Sequence, residues 1–314
     1  MNAIERVSEY IHMPHEPTSG TSVPAAWPSA GRIEIENLTV AYDVGLPPVL
    51  HNLTFTAEPT ESIGVVGRTG AGKSSLTLAI FRMLDIRAGT ISIDGIDTAE
   101  ITLHDLRSRL AIIPQDPVLF SGTLRSNIDP LGRYTDEEVF AGLRRMHLLD
   151  EGEGEEDEES EPAAAPLALR KTATNTSAII PPPPTRAVFH DLHYPISRGG
   201  LNLSQGQRQL ICLARALISR PKVLILDEST SNLDMATDRK IQRSIREEFA
   251  GSTLLVIAHR LSTIADFDKV LVLEKGEVRE FGRPRELWER GGGFRDMVES
   301  SGEREGIEAM FRGA

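Results

Sequence analysis

With 314 residues, 40% of them hydrophobic, the chain is long enough for one large domain or two small ones with a sizeable core. No stretch approaches the roughly 18 consecutive apolar residues of a membrane span, and the single cysteine, Cys212, excludes a disulfide framework or a cysteine-ligated cluster. The net charge of −12 is concentrated in one run, DEGEGEEDEESE (150–161), and no basic stripe appears elsewhere, which argues against nucleic acid as a partner.

The start, MNAIERVSEYIH, is amphipathic and mixed in charge, unlike a secretory signal, and predicts a short helix. A Pro/Ser/Gly-rich linker follows to about residue 30. From Gly31 the pattern turns β-like in RIEIENLTVAY and VLHNLTFTA. SIGVVG (62–67) reads as a buried parallel strand feeding a glycine loop and a helix through about Met83. TISIDG and LAIIPQ predict further strands. TDEEVFAGLRRMHLL (135–149) predicts a helix, from its Thr-Asp start and acidic first turn. Residues 150–187, acidic and then rich in Pro, Ala, Ser and Thr, predict a disordered insertion, because such a composition buries too little apolar surface to offset ordering. Order is expected again at ISRGGLNLSQGQ, with a helix to about Ser219. Strands follow at KVLILDES and TLLVIAH, and a hairpin at KVLVLEKGEVREFG with Lys275-Gly276 in its turn. Strands alternating with helices indicate an α/β fold with a mostly parallel sheet.

The residues that carry chemistry lie at strand ends. Gly67, Gly70, Gly72, Lys73 and Ser74 fit G-x-x-x-x-G-K-[ST]. Glycines let backbone N–H groups close around phosphates, the lysine reaches the terminal two, and the serine hydroxyl ligates Mg²⁺. The apolar strand before this loop and the helix after it are the context that confirms it. VLILDE (223–228) places Asp227 and Glu228 at the C-terminal end of a strand, where ligands bind in open α/β sheets. An aspartate there can hold Mg²⁺, and the adjacent glutamate can orient and deprotonate a water. His259 repeats this placement after LLVIA, though a lone histidine at a strand end also suits a purely structural role. GGLNLSQGQRQL (199–210) is a second glycine-bracketed turn entering a helix, a second place where free N–H groups could face an anion. On their own, Gln115 in IIPQDP and Tyr42 in VAYDVG carry little.

Taken in order, VAY, GRTGAGKSS, IIPQDPVLFSGT, NLSQGQRQ, LILDES, SNLD and IAHR resemble an ATP-binding-cassette nucleotide-binding domain. TLHDLRSRLAIIPQDPVLFSGTLRSNIDP and NLSQGQRQLICLARAL are similar to the second cassette of the multidrug-resistance-associated subfamily C exporters, fungal members especially. The resemblance runs from Met1 to about Ser300 and implies a P-loop NTPase (RecA-like) core with a parallel sheet, an antiparallel β subdomain and an α-helical signature subdomain. It divides the chain into an N-terminal helix and linker (1–30), the cassette (31–300, interrupted at 150–187) and a C-terminal tail (301–314).

By this resemblance Tyr42 stacks on adenine. Gly67, Arg68, Thr69, Gly70, Ala71, Gly72, Lys73, Ser74 and Ser75 wrap the phosphates, and Ser74, Gln115 and Asp227 (through water) serve Mg²⁺. Glu228, His259, Gln115 and Lys73 act in ATP hydrolysis. Ser204, Gln205, Gly206 and Gln207 form the signature, and Asp234 the D-loop acid. The resemblance further implies a second cassette packed head to tail, so that each signature faces the other cassette's ATP. Gln205 stands where glycine is common, which implies a weakly hydrolysing site there, whereas the half-site of Lys73, Asp227 and Glu228 is intact. The expected partners include transmembrane domains that handle a small-molecule or organic-anion substrate, at the cytoplasmic face of a plasma or vacuolar membrane. A non-pumping regulatory module and a soluble cassette ATPase are the alternatives. The first is disfavoured by Glu228 and His259, the second by the single cassette and single cysteine.

Overall fold

The computed structural model describes residues 3–11, 16–17, 19–43, 45–146, 148–149, 188–227, 235–258 and 260–313. The insertion expected at 150–187, and Glu228, Asp234 and His259, lie outside the described residues. The packing divides the chain into two units, Met1–Pro117 with Ser219–Ala314, and Val118–Ile218.

In the first unit, helix α1 (Ala3–Ile11) precedes β1 (Ile33–Ala41), whose alternation buries Ile33 and Ile35 and then changes parity to bury Leu38 and Val40. The change falls at a register shift in the pairing with β2 (Leu50–Ala57), where Asn37 has φ 49°; one extra residue reverses which side chains face inward. With β4 (Asp85–Ile93) and β5 (Ile96–Asp97) these strands form an antiparallel sheet in the order β2-β1-β4-β5.

The second sheet of this unit carries the chemistry. Strand β3 (Ser62–Val66) lies next to β10 (Thr253–Ile257), which pairs with β9 (Val223–Asp227), which pairs in turn with β6 (Ala111–Ile113), all parallel. On the other side of β3 stands β11 (Lys269–Glu274), also parallel, with β12 (Glu277–Gly282) antiparallel at the edge. β3, β9 and β10 are apolar runs buried on both faces, as parallel strands between helices must be. Helix α2 (Lys73–Ile80) follows β3, and α3 (Leu103–Arg109) precedes β6. Helix α7 (Met235–Glu248) follows β9; α8 (Pro284–Arg290), α9 (Gly293–Ser301) and α10 (Arg304–Gly313) close the chain.

Helix α2 ends three residues earlier than Met83, the limit expected from sequence. Arg82 takes φ 51°, and one cationic side chain claims the freed carbonyls: Arg107 donates to the carbonyl oxygens of Phe81 and Arg82 through Nε and Nη2. The stretch before β1 is docked rather than loose. Trp27 is 4% exposed and donates its indole N–H to Ile93 O at 2.9 Å. The amides of Ser29, Ala30, Gly31 and Arg32 all donate to the Asp94 carboxylate at 2.7–2.9 Å.

The second unit holds a short antiparallel pair, β7 (Gly122–Thr123) with β8 (Pro195–Ile196), and helices α4 (Leu124–Ile128), α5 (Asp136–Arg145) and α6 (Gln205–Ser219). Thr135 and Glu138 form the capping box that starts α5. The helix stops at Arg145 rather than 149, with Leu148 N–H folding back to Leu143 O. Buried Asn127 ties the unit's entry loop through bonds to Phe120 and Thr123, and its carbonyl accepts from Arg215 of α6. Among the described residues no helix is long and apolar enough to cross a membrane.

Candidate functional site

Because β3, β10, β9 and β6 are parallel and in register, their C-terminal ends share one edge of the sheet. Ile257 stands opposite both Val65 and Asp227, and Ile113 opposite Leu226. The glycine loop (67–72), Asp227 and the segment leading to Gln115 therefore leave the sheet side by side, which is where α/β sheets bind ligands.

The loop is a preformed anion cradle. Gly67, Gly70 and Gly72 have φ 156°, 80° and 103°. Gly72 hands the chain to α2 as its N-cap without a side-chain cap, so the first-turn amides stay available to an anion. At Gly67 the backbone passes so close to β11 that a Cβ would lie 2.4 Å from Leu273 O. The β11–β12 turn braces the loop from outside: Gly276 N donates to Ala71 O at 3.0 Å, and His51 N donates to Gly276 O at 2.8 Å. Only glycine fits that turn, since a Cβ on Gly276 would meet Val49 O at 2.3 Å and φ is 82°. The sequence pattern showed this hairpin but carried no signal that it supports the phosphate loop from some 200 residues away.

Lys73 curls over the loop, its Nζ donating to Gly67 O at 2.7 Å and Arg68 O at 3.3 Å. Burial pushes its amine below the usual lysine range, and the Asp227 carboxylate acts in the opposite sense. Ser74, one residue into α2, is exposed, while Ser75 is buried and shares a 3.1 Å hydrogen bond with the Tyr42 hydroxyl. Tyr42 is 53% exposed at the end of β1, its ring open to a flat partner beside the loop. Arg68, Thr69 and Gly70 are exposed and Ala71 is buried. A cavity of about 510 Å³ runs along the loop's flank, with Arg68, Lys275, Arg279 and Asp296 among its walls. Gln115 is exposed two residues beyond β6. A hard cation is matched by this donor set, an open hydroxyl at Ser74 and a carboxylate at Asp227 on the same edge.

In the second unit, Ser204 and Gln207 start α6 with a reciprocal capping box: Gln207 N donates to Ser204 Oγ at 3.1 Å and Ser204 N donates to Gln207 Oε1 at 2.9 Å. Gln205 is half-buried in the first turn, and Gly206 is buried. The signature stretch is therefore the N-terminal turn of a 15-residue helix. Asp234, Glu228 and His259 fall outside the described residues.

A model of the ABC transporter family matches residues 50–231. "ABC transporter 7" of Pyricularia oryzae is 46% identical over 317 residues, covering 97% of this chain. The "ATP-dependent bile acid permease" of Saccharomyces cerevisiae is 43% identical over 306 residues, and "ATP-binding cassette sub-family C member 3" of Rattus norvegicus 46% identical over 303, each covering 96% of this chain. The chain spans 18% of the length of each of these three relatives. A solved bacterial Atm1-family ABC exporter with ATP bound matches it with a TM-score of 0.72 at 29% identity, over 95% of this chain and 46% of that one.

Proposed function

Since the chain belongs to the ABC transporter family as an ATP-binding cassette, we propose that it hydrolyses Mg·ATP as one member of a head-to-tail cassette pair and drives export through membrane domains. The observation that carries this reading is the cradle after β3, with three positive-φ glycines, a lysine bound to the loop carbonyls and a carboxylate on the same sheet edge.

On this reading the loop amides and Lys73 bind the terminal phosphates, the lysine exchanging its two carbonyl partners for phosphate oxygens. Tyr42 stacks on the base and is held at its rim by Ser75. Ser74 and, through water, Asp227 would hold Mg²⁺, which would offset charge on the terminal phosphates. Glu228 orients the attacking water and takes its proton, and His259 and Lys73 face the charge that develops on the γ-phosphate. Gln115, on the exposed loop after β6, relays the state of the site toward a membrane domain. The α6 N-terminus, with Ser204 to Gln207, serves the ATP of the other cassette, and Asp234 contacts that cassette in turn; the two anion-binding helix starts of one chain belong to two different sites.

The test is turnover of Mg·ATP by wild type and by Glu228→Gln. We expect a loss of roughly 10²–10⁴-fold in rate, the scale of a removed general base, with ATP still bound. Near-normal turnover by the folded variant overturns the assignment.

A further inference from the structure

We propose that Glu303 and helix α10 form a clamp that positions the loop carrying His259 for hydrolysis, a role that rests on the hydrolytic reading above. The loop leaves β10 at Ala258, whose N–H is tied back to Val65 O at 3.2 Å. Four residues on, Ser262 donates its backbone N–H to Glu303 Oε2 at 2.7 Å. His259 falls between these two anchors in sequence and lies outside the described residues; the chain is held before it by the sheet, at Ala258, and after it by the C-terminal segment, at Ser262.

The second anchor is built to stay in place. Glu303 is held by its own neighbours: its N–H donates to Ser301 Oγ at 3.2 Å, and its carbonyl accepts from Ile307 N at 3.1 Å as α10 begins. Ile307 (0% exposed) and Phe311 of α10 pack into one apolar cluster with Ala258, Leu261 and Ile264. Ile264 in turn lies flat on β3, where a Cβ on Gly64 would meet its Cβ at 2.7 Å. Glu303 acts through the loop it holds, by its bond to Ser262 N, and is a positioning residue. A single hydrogen bond that fixes the backbone three residues from a catalytic side chain governs how often that side chain sits within reach, which enters kcat rather than ground-state nucleotide affinity.

The experiment uses the full 314-residue chain, paired with a second cassette for the hydrolysis readout, as wild type, Glu303→Ala, Glu303→Asp and Glu303→Gln, each also combined with His259→Ala. It reads steady-state Mg·ATP hydrolysis, binding of a fluorescent ATP analogue, thermal melting, and amide hydrogen exchange of the peptide spanning 258–265. Glu303→Ala and the shortened Glu303→Asp are expected to speed exchange in that peptide and to lower kcat roughly three- to tenfold at unchanged KM and analogue affinity, the scale of one hydrogen bond. Glu303→Gln keeps an acceptor oxygen at the same reach and is expected to restore both readouts. In the His259→Ala background Glu303→Ala is expected to add nothing. Unchanged exchange in the Ala and Asp variants overturns the clamp. Faster exchange with unchanged kcat, or losses in kcat and affinity that track a fall in melting temperature, overturn its role in positioning. A wild-type chain that binds the analogue without turnover even when paired with a second cassette overturns the hydrolytic reading and with it the catalytic half of this proposal, while exchange still decides whether the clamp exists.

Discussion

At Gly67 a single hydrogen atom in place of a side chain decides whether the phosphate loop can close. Gly67→Ala would drive a Cβ into Leu273 O, 2.4 Å away, on a backbone that already has φ 156°. The strain of such a position is about 1–3 kcal/mol, and we expect nucleotide binding to be lost along with it, read by calorimetric titration with Mg·ATP. Tyr42 offers a finer test, because its ring and its hydroxyl do different work. Tyr42→Phe removes only the bond to Ser75 and should leave affinity within about twofold, whereas Tyr42→Ala removes the stacking face and should weaken ATP binding roughly tenfold, in line with base–aromatic stacking of about 1–3 kcal/mol. Equal losses in the two variants would assign the residue to holding Ser75 and not to the base. The loop was legible in GRTGAGKSS because its chemistry is contiguous: strand, glycines, lysine and hydroxyl follow one another along the chain. The Ser75 contact was not, since a hydrogen bond 33 residues apart leaves no local pattern.

Among the elements, α6 shows how one residue can serve a helix and a ligand. Ser204 caps the helix through Gln207 N, and Gln207 returns the bond. Ser204→Ala should therefore destabilise the chain by about 1 kcal/mol, the usual loss for an N-cap, whereas Ser204→Thr keeps a capping hydroxyl. Urea unfolding separates the two variants. If both also reduce hydrolysis in an assembled pair, the serine acts on the other cassette's nucleotide as well as on its own helix; if only the alanine variant does, the cap alone accounts for the effect. The helix itself was legible from its period and start signal. The early stop of α2 was not, because Arg107 reaches it from α3 to bind the carbonyls of Phe81 and Arg82.

Across the whole molecule, the segment before β1 behaves as part of the first unit. Burial pushes the Asp94 carboxyl up, but hydrogen bonds from Ala30, Gly31, Arg32 and Ser29 outweigh it and hold the group below the ordinary aspartate range. A depressed folded pKa contributes stability that is fully present above the unfolded value near about 3.9 and is lost as pH falls through the folded one. Asp94→Asn should thus cost about 2 kcal/mol at neutral pH, as hydrogen bonds to a charged acceptor do, and the gap to wild type should close on acidification below about pH 4. A gap that persists at low pH would mean that the segment is held by Trp27 and not by the carboxylate. On the scale of assembly, the proposed coupling to export places the cassette with membrane domains. An antibody to it should then find a band well above 34.4 kDa in the membrane fraction, and a soluble band at that mass would overturn the exporter reading.

From sequence alone came the family, the α/β class and the order of the phosphate loop, the acidic strand end and the signature helix. Each is written within a few consecutive residues, where backbone geometry and side-chain chemistry repeat locally wherever phosphate is bound. Tertiary structure decided what supports them. The turn at Gly276 that braces Ala71, the bulge at Asn37 that reverses β1, the burial of Trp27 beneath Ile93 and the grip of Glu303 on Ser262 all join residues distant in sequence. Such contacts are chosen by which surfaces can be buried together with their hydrogen bonds satisfied, and that choice is made only when the sheets and helices have closed on one another.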